Sequence, residues 1–221
     1  MAALMKTVAD GCATPAGYPD QCIESRRLAD GTDILIRPIR PQDDDIEFAF
    51  VRGLSRDTRY NRLLSARTLT AQEIRHLTRI DYDREMALVA VTGSGTQARL
   101  LGVARYVRDA DAGGAEFAIV VADAWQRKGI GTLLLQALLR QAHSAGVGSL
   151  QGITLATNQA MHSLARKLGF AQTHDPRDAT VRHLAAKASV GYCVAALSAS
   201  NAAAGAANDE WIVPGALPRV T

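Results

Sequence analysis

A turn with two glycines, residues 126–131, has the residue types and spacing that bind a phosphate group. An apolar, strand-like run precedes this turn, and the longest predicted helix follows it. The first N–H groups of a helix lack partners within the helix, and the helix dipole places partial positive charge on them. Gly129 and Gly131 let the backbone approach a bulky anion without an obstructing Cβ. Because each bond from an amide to a phosphate contributes about 1.5–3 kcal/mol, several such bonds together predict a pyrophosphate site.

Two other phosphate-binding motifs do not match this turn. The chain contains no G-x-x-x-x-G-K-[ST] string, which excludes a P-loop. A dinucleotide-binding turn requires G-x-G-x-x-G directly after the strand, but Leu134 holds the third glycine position and the polar interval 122–128 intervenes. A bare G-x-G pair arises about once by chance in ~200 residues, so an ordinary glycine-rich helix start remains the alternative.

The composition is that of an ordinary globular protein with one domain. The 221 residues are 48% apolar and 21% charged, and two full domains would be small at this length. A net charge of +3 is too weak to indicate nucleic acid. No apolar run approaches the roughly 18 residues of a membrane span, and the first residues lack the apolar core of a signal peptide. We therefore expect a cytoplasmic protein that binds neither nucleic acid nor membrane.

The cysteines and histidines predict neither a disulfide nor a metal site. Cys12, Cys22 and Cys193 form no C-x-x-C pair, which is typical of free thiols in a reducing compartment. The five histidines are scattered without the spacing of metal ligands. No metal cofactor is therefore expected.

The periodic patterns predict one domain between two less regular ends. Residues 1–29 are expected to be an irregular segment because prolines and a glycine interrupt them, and residues 186–221 to be a flexible, Ala-rich tail. The domain, residues 30–185, predicts a mixed α/β (α+β) layout around one sheet. Its predicted elements are a strand at 32–39, helices beginning at Pro41 and near Thr70, strands at 85–92, 99–107 and 115–122, a helix at 129–145, a strand at 150–156, a helix at 158–168, and strands near 170–173 and 180–184.

Eight arginines crowd the stretch from Arg52 to Arg84. They could recognise an acidic protein surface or line a substrate cleft, while a solvated helical face is the default interpretation. Aromatic residues make up 5% of the chain and do not interleave with these arginines, which argues against a platform for single-stranded nucleic acid.

Four segments resemble the GNAT N-acetyltransferases. The turn 126–131 matches the family's acetyl-CoA-binding pattern Q/R-x-x-G-x-G/A after the fourth strand, and residues 158–170 are similar to its second cofactor segment. Residues 35–41 and 80–90 resemble the acetyltransferase domain of bacterial protein lysine acetyltransferases. The resemblance spans about residues 28–184 and implies a GNAT-like mixed, largely antiparallel sheet flanked by helices.

The resemblance also implies acetyl-CoA as co-substrate and the residues that bind it. The strand before the turn is implied to splay near residues 119–121, where its backbone would bind the pantetheine and one amide would stabilise an oxyanion. Asn158 is implied to hydrogen-bond the pantetheine, although a role as helix N-cap explains it equally well. A solvated helix start likewise remains an alternative for the two cations of the turn. The implied cofactor-binding residues are Ile119, Val120, Val121, Gln126, Arg127, Lys128, Gly129, Ile130, Gly131, Thr132 and Asn158.

Glu116 is the candidate catalytic residue. A lysine amine, with a pKa near 10.4, must lose a proton before it attacks a thioester, which costs roughly 4 kcal/mol near pH 7. Glu116 lies in an otherwise apolar strand, where a carboxylate is costly unless it has a partner or faces an open rim. The resemblance implies a catalytic glutamate at this position, which would act as general base. A carboxylate at a strand end that faces solvent is the alternative.

Three functions are consistent with these residues. The favoured one is transfer of an acetyl group from acetyl-CoA to a protein lysine ε-amine. The second is acetylation of a small amine or of a protein N-terminus. The third is a catalytically silent module that binds acetyl-CoA or a partner, because a fold can persist without its chemistry.

Overall fold

A computed structural model describes residues 15–64, 69–110 and 113–188 of the chain. These residues form one sheet of eight strands and five α-helices. The strands are β1 (Glu24–Arg27), β2 (Asp33–Pro38), β3 (Glu85–Thr92), β4 (Arg99–Arg108), β5 (Gly114–Val121), β6 (Ser149–Leu155), β7 (Ala171–His174) and β8 (Val181–Lys187). The helices are α1 (Asp44–Gly53), α2 (Arg56–Leu63), α3 (Ala71–Thr78), α4 (Ile130–Ser144) and α5 (Gln159–Lys167).

The strand order is β1-β2-β3-β4-β5-β6-β8-β7. Every neighbouring pair of strands is antiparallel except β5 and β6, which are parallel. A parallel pair needs a crossover connection, which α4 provides between these two strands. The predicted mixed, largely antiparallel GNAT-like sheet is therefore confirmed.

Helices cover both faces of the sheet, with a separate core on each side. On one face α4 buries an apolar stripe that includes Leu134 and Leu138. On the other face α1 and α3 bury Phe50 and Ile74. The alternation of β3 supplies both cores, because Leu88 packs toward α4 while its neighbour packs toward α1 and α3.

A buried ion pair fixes the connection from β2 to α1. The guanidinium of Arg37 donates to both carboxylate oxygens of Asp43 at 2.7 Å, and both side chains are less than a tenth exposed. The same carboxylate accepts the backbone N–H of Arg40 at 3.0 Å. This part of the segment 35–41 therefore has a structural role, since a buried charge is tolerated when it is fully paired.

Two elements differ from the sequence prediction. The strand β1 lies within residues 1–29, which were predicted to be irregular, and it pairs with β2 along its whole length. Its sequence, Glu-Ser-Arg-Arg, has no apolar alternation because it is an exposed edge strand. Helix α2 was not predicted, because its eight residues lack a buried apolar stripe.

The ends of the predicted domain are described only in part. Strand β8 continues to Lys187, two residues beyond the predicted boundary at 185. Residues 1–14 of the N-terminal segment and residues 189–221 of the predicted tail lie outside the described residues. Within the described part of the chain, every helix is too short or too polar to cross a membrane.

Candidate active site

The strands β5 and β6 separate in the middle of the sheet. They pair only where Gly114–Glu116 lies beside Ser149–Gln151, while β5 continues along β4 to Val121. From Phe117 onward the edge of β5 that faces β6 forms no ladder with it. The splay that the resemblance placed near residues 119–121 therefore begins two residues earlier, and it opens a cleft between two parallel strands.

The N-terminus of α4 meets this cleft. Gly129 is the N-cap residue and adopts φ +91°, a left-handed conformation that side chains with a Cβ rarely adopt. Gly131 packs closely instead, because a Cβ there would lie 3.3 Å from Cδ2 of Leu164. Both positions of the predicted turn therefore favour glycine, Gly129 because of its backbone conformation and Gly131 because of its close packing.

These residues fit the pyrophosphate of acetyl-CoA. The first N–H groups of a 15-residue helix are directed out of its N-terminus, and the two glycines keep Cβ atoms out of their approach. Gln126 closes the turn, because its Nε2 donates to the carbonyl oxygen of Val121 at 3.2 Å. The strand end, the turn and the helix start are therefore held together.

Lys128, one of the two cations of the turn, has partners within the protein. The Nζ of Lys128 lies 2.9 Å from a carboxylate oxygen of Asp30 and 4.5 Å from the ring centre of Trp125. This contact lowers the pKa of Asp30 to about 2. Lys167 from α5, which was not predicted as a site residue, places its Nζ 3.5 Å from Oγ1 of Thr132. The only signal for Lys167 was its place in the second cofactor segment.

Asn158 forms the cap of α5. Its Oδ1 accepts the backbone N–H of Met161 at 3.1 Å, and its Nδ2 donates to Oγ1 of Thr154 at 3.1 Å. These bonds explain its position as an N-cap, and the contact of Asn158 with pantetheine stays a prediction.

Glu116 lies at the point where the two strands part. It is the last residue of β5 that pairs with β6, opposite Gln151, and its side chain is partly buried. Burial raises the pKa of Glu116, Asp109 raises it further, and Arg62 lowers it. A partly buried carboxylate with a raised pKa at the rim of a cleft is a candidate for a functional group.

A second group of charges lies on the same face of the sheet as Glu116. Strand alternation places Ala118 and Val120 on that face, and both line a cavity of about 180 Å³ between the sheet and the helices α1 and α2. Glu47, Arg62 and Arg105 also line it. Some arginines of the stretch from Arg52 to Arg84 therefore line a cleft. No motif in the sequence indicated that Glu47 would line it too.

Helix α2 is anchored directly to the turn before α4. The carboxylate of Asp123 accepts the backbone N–H of Ser55 at 2.9 Å and both hydroxyls of Ser55 and Thr58 at 2.7 Å. Gln126 adds a bond from Nε2 to Oγ1 of Thr58 at 3.2 Å. The helix that lines the cavity is therefore positioned by the turn that starts α4.

No group of three or more His, Cys, Asp or Glu side chains could hold a metal ion within the residues that the structure describes.

Comparisons with known proteins agree with this architecture. A model of the acetyltransferase (GNAT) family matches residues 55–170. The chain is 34% identical to Acetyltransferase PA5475 of Pseudomonas aeruginosa over 162 residues. These residues make up 73% of this chain and 86% of the relative. It is 32% identical over 135 residues to Acetyltransferase Pat of Mycolicibacterium smegmatis, which covers 61% of this chain but 40% of that protein.

The fold is also shared with a solved structure, the GNAT domain of S. lividans PAT. The TM-score is 0.69 at 23% identity, over 77% of this chain and 99% of that domain. The likeness to bacterial Pat proteins that the sequence motifs indicated is therefore confirmed. From the matched family, the relatives and the turn at α4, the chain belongs to the GNAT family of N-acetyltransferases, whose acetyl donor is acetyl-CoA.

Proposed function

We propose that this enzyme transfers the acetyl group of acetyl-CoA to a lysine ε-amine of a protein, with Glu116 as the general base. The observation that supports this most is the place of Glu116, partly buried at the rim where β5 and β6 separate. The similarity to Acetyltransferase Pat and to the GNAT domain of S. lividans PAT supports a protein acceptor.

The residues that would bind the donor lie on one side of the strand separation. The N-terminal N–H groups of α4, with Gly129 and Gly131, would hold the pyrophosphate, and the unpaired edge of residues 119–121 would hold the pantetheine. Bound acetyl-CoA supplies a thioester whose C–S bond breaks as the amine nitrogen forms the new C–N bond. This arrangement directs the thioester toward the carboxylate of Glu116.

Glu116 accepts the proton that the amine loses. Its raised pKa brings the carboxylate closer to the working pH, which favours proton transfer from an alkylammonium or an attacking amine. The departing thiolate takes a proton from water or another residue, because Ala165 stands where many relatives of the fold have a tyrosine acid. A neutral amine loses one proton to Glu116 and the sulfur gains one, and Glu116 then returns its proton to the solvent. An alkylammonium first releases one further proton.

The direct test is thiol release from acetyl-CoA with lysine-bearing proteins, such as acyl-CoA synthetases, and separately with small amines. Mass spectrometry locates the acetyl group. We expect label on a protein lysine, reduced about 10²–10⁴-fold in Glu116→Gln. Asp57→Asn is the matched control, because it removes an exposed carboxylate from α2, and its rate should equal that of the wild type.

The alternatives give different results. Turnover only with small amines would show that the acceptor is not a protein lysine. Binding of acetyl-CoA without turnover on any acceptor would show a silent binding module. A rate in Glu116→Gln equal to the wild type would remove the carboxylate from the mechanism.

The place of the pyrophosphate has its own test. Gly131→Ala should weaken binding of acetyl-CoA, measured by calorimetry, because the new Cβ lies 3.3 Å from Leu164 and in the path of the anion. Gly53→Ala is the control, since a Cβ at that position meets nothing within 4 Å. Equal affinity of both variants for acetyl-CoA would contradict the assignment.

A further inference from the structure

The cavity beside Glu116 has a composition that the transfer reaction alone does not explain. We propose that it binds a carboxylate of the acceptor, carried by an acidic group next to the amine that is acetylated. The inference rests on the proposed function, because it places the amine at Glu116. It adds a selection rule for the acceptor.

The charge of the cavity favours an anion. The guanidinium groups of Arg62 and Arg105 line it, and Glu47 is the one acidic side chain among its lining residues. Apolar side chains such as Phe50 and Val120 form the rest of the wall. Low-dielectric walls strengthen the attraction of such a site for a ligand of opposite charge. Guanidinium groups also match the planar geometry of a carboxylate.

An unmet polar atom lies on the wall of this cavity. Glu47 is only 3% exposed, and its Oε2 has no hydrogen-bond partner among the described residues. Burial raises the pKa of Glu47, which favours the protonated acid. A protonated Glu47 can donate its O–H to an incoming carboxylate. A buried polar atom without a partner is rare in folded proteins, and a bound ligand is one way to satisfy it.

The size and position of the cavity limit what enters it. Its volume of about 180 Å³ is below the roughly 300–1,000 Å³ of sites that enclose a whole small molecule, so it fits one side chain or one end of an acceptor. Arg62 is close enough to Glu116 that each affects the pKa of the other. Glu116 also precedes Ala118, which lines the cavity, by two residues on the same face of β5, so a carboxylate bound in the cavity would lie on the side of the acceptor amine.

Two acceptors present this chemistry. One is a protein lysine with Asp or Glu beside it, and the other is a free amino acid with its own α-carboxylate. The proposed function favours the first. Both share the requirement for a carboxylate near the amine, and the experiment separates them.

The test is equilibrium binding by calorimetry, without acetyl-CoA and at fixed ionic strength. The probes are terminally blocked lysine peptides with Asp or Glu beside the lysine, the same peptides with Asn or Gln, free lysine, and lysine amide. We expect the wild type to prefer the acidic peptide by about tenfold or more, the size of one charged hydrogen bond. If the protein also prefers free lysine over lysine amide, the α-carboxylate of a free amino acid is a second source of the bound carboxylate.

Three variants separate recognition from folding. Arg62→Met should abolish the preference for the acidic peptide. Glu47→Gln should keep it, because the amide N–H can replace the O–H that the protonated acid donates. Arg56→Gln, an exposed arginine of the same helix, should bind as the wild type does. If both residues had a purely structural role, Arg62→Met and Glu47→Gln would change the preference for the acidic peptide in the same direction. Thermal unfolding of each variant checks its fold.

Equal binding of acidic and amide peptides to the wild type would overturn the inference, as would a loss of preference in Glu47→Gln. The outcome is independent of the transfer reaction. Acetylated lysines without any acidic preference would reject the cavity assignment and leave the proposed function intact. An acidic preference in binding, without acetylation of any lysine, would support the cavity and reject the proposed function.

Discussion

Two clusters of charged side chains lie on the α1 face of the sheet, and they differ in how completely they are paired. In the first, Arg37 donates two hydrogen bonds of 2.7 Å to Asp43, and both side chains are almost fully buried. In the second, Arg62 and Arg105 line a cavity with Glu47, one of whose oxygens has no partner among the described residues. In the first cluster both carboxylate oxygens accept hydrogen bonds from one guanidinium, whereas in the second a carboxyl oxygen that lines the cavity accepts none.

The difference distinguishes a structural cluster from a binding site. A buried pair with complete hydrogen bonds stabilises one conformation and leaves nothing for a ligand to satisfy. A cluster with an unmet atom costs stability unless something binds there. The clusters therefore predict opposite responses to mutation.

The largest expected effect is on the paired cluster. Asp43→Ala leaves the guanidinium of Arg37 buried without its partner, and it should lower the free energy of unfolding by about 3–5 kcal/mol. Chemical denaturation measures this change. Asp33→Ala is the control, since it breaks a pair with Arg27 that is exposed to solvent, and its unfolding midpoint should not move measurably. Equal effects of the two variants would contradict the comparison.

The response of the second cluster should be much smaller. Burial and the neighbouring Arg105 lower the pKa of Arg62 to about 10, so its charge is held at a cost. Arg62→Met should therefore change the free energy of unfolding by less than about 1 kcal/mol, or stabilise the protein. The same denaturation experiment decides, and a loss as large as that of Asp43→Ala would make the second cluster structural.

A subtler effect is expected in the pH dependence of the rate. A carboxylate base works when it is ionised, so activity rises as pH passes its pKa. Arg62 lowers the pKa of Glu116, whereas Asp109 raises it. Arg62→Gln should therefore move the acidic limb of kcat/KM to higher pH, and Asp109→Asn should move it to lower pH. Shifts in the same direction would exclude Glu116 as the titrating group.

Much of the fold could be predicted from the sequence because local patterns specify it. The apolar stripe of α4, the strand–turn–helix order around Gly129 and the continuous apolar run of β3 are all visible within short windows. Strand β1 could not be predicted, because it is a short, polar strand at the edge of the sheet. Helix α2 could not be predicted, because it is polar and is held by contacts distant in sequence, those of Asp123 with Ser55 and Thr58.

The candidate site likewise has parts that the sequence indicated and parts that only the fold brings together. Residue type and context predicted that Glu116 lies on a strand and that the glycines lie at the start of a helix, and the structure has them there; their roles stay predictions. The cavity was not, since Glu47, Arg62 and Arg105 come from three elements that only the sheet topology brings together. Lys167 was likewise missed as a site residue, because its approach to Thr132 depends on the packing of α5 against α4.

The most direct test of Glu116 as general base is the pH profile of kcat/KM for the wild type and Glu116→Gln with a lysine acceptor. We expect an acidic limb in the wild type, set by a group whose pKa lies above the ordinary value of glutamate, because burial raises the pKa of Glu116. In Glu116→Gln this limb should disappear, and the rate should fall about 10²–10⁴-fold while the affinity for acetyl-CoA is retained. The same limb and the same rate in both proteins would contradict this role of Glu116.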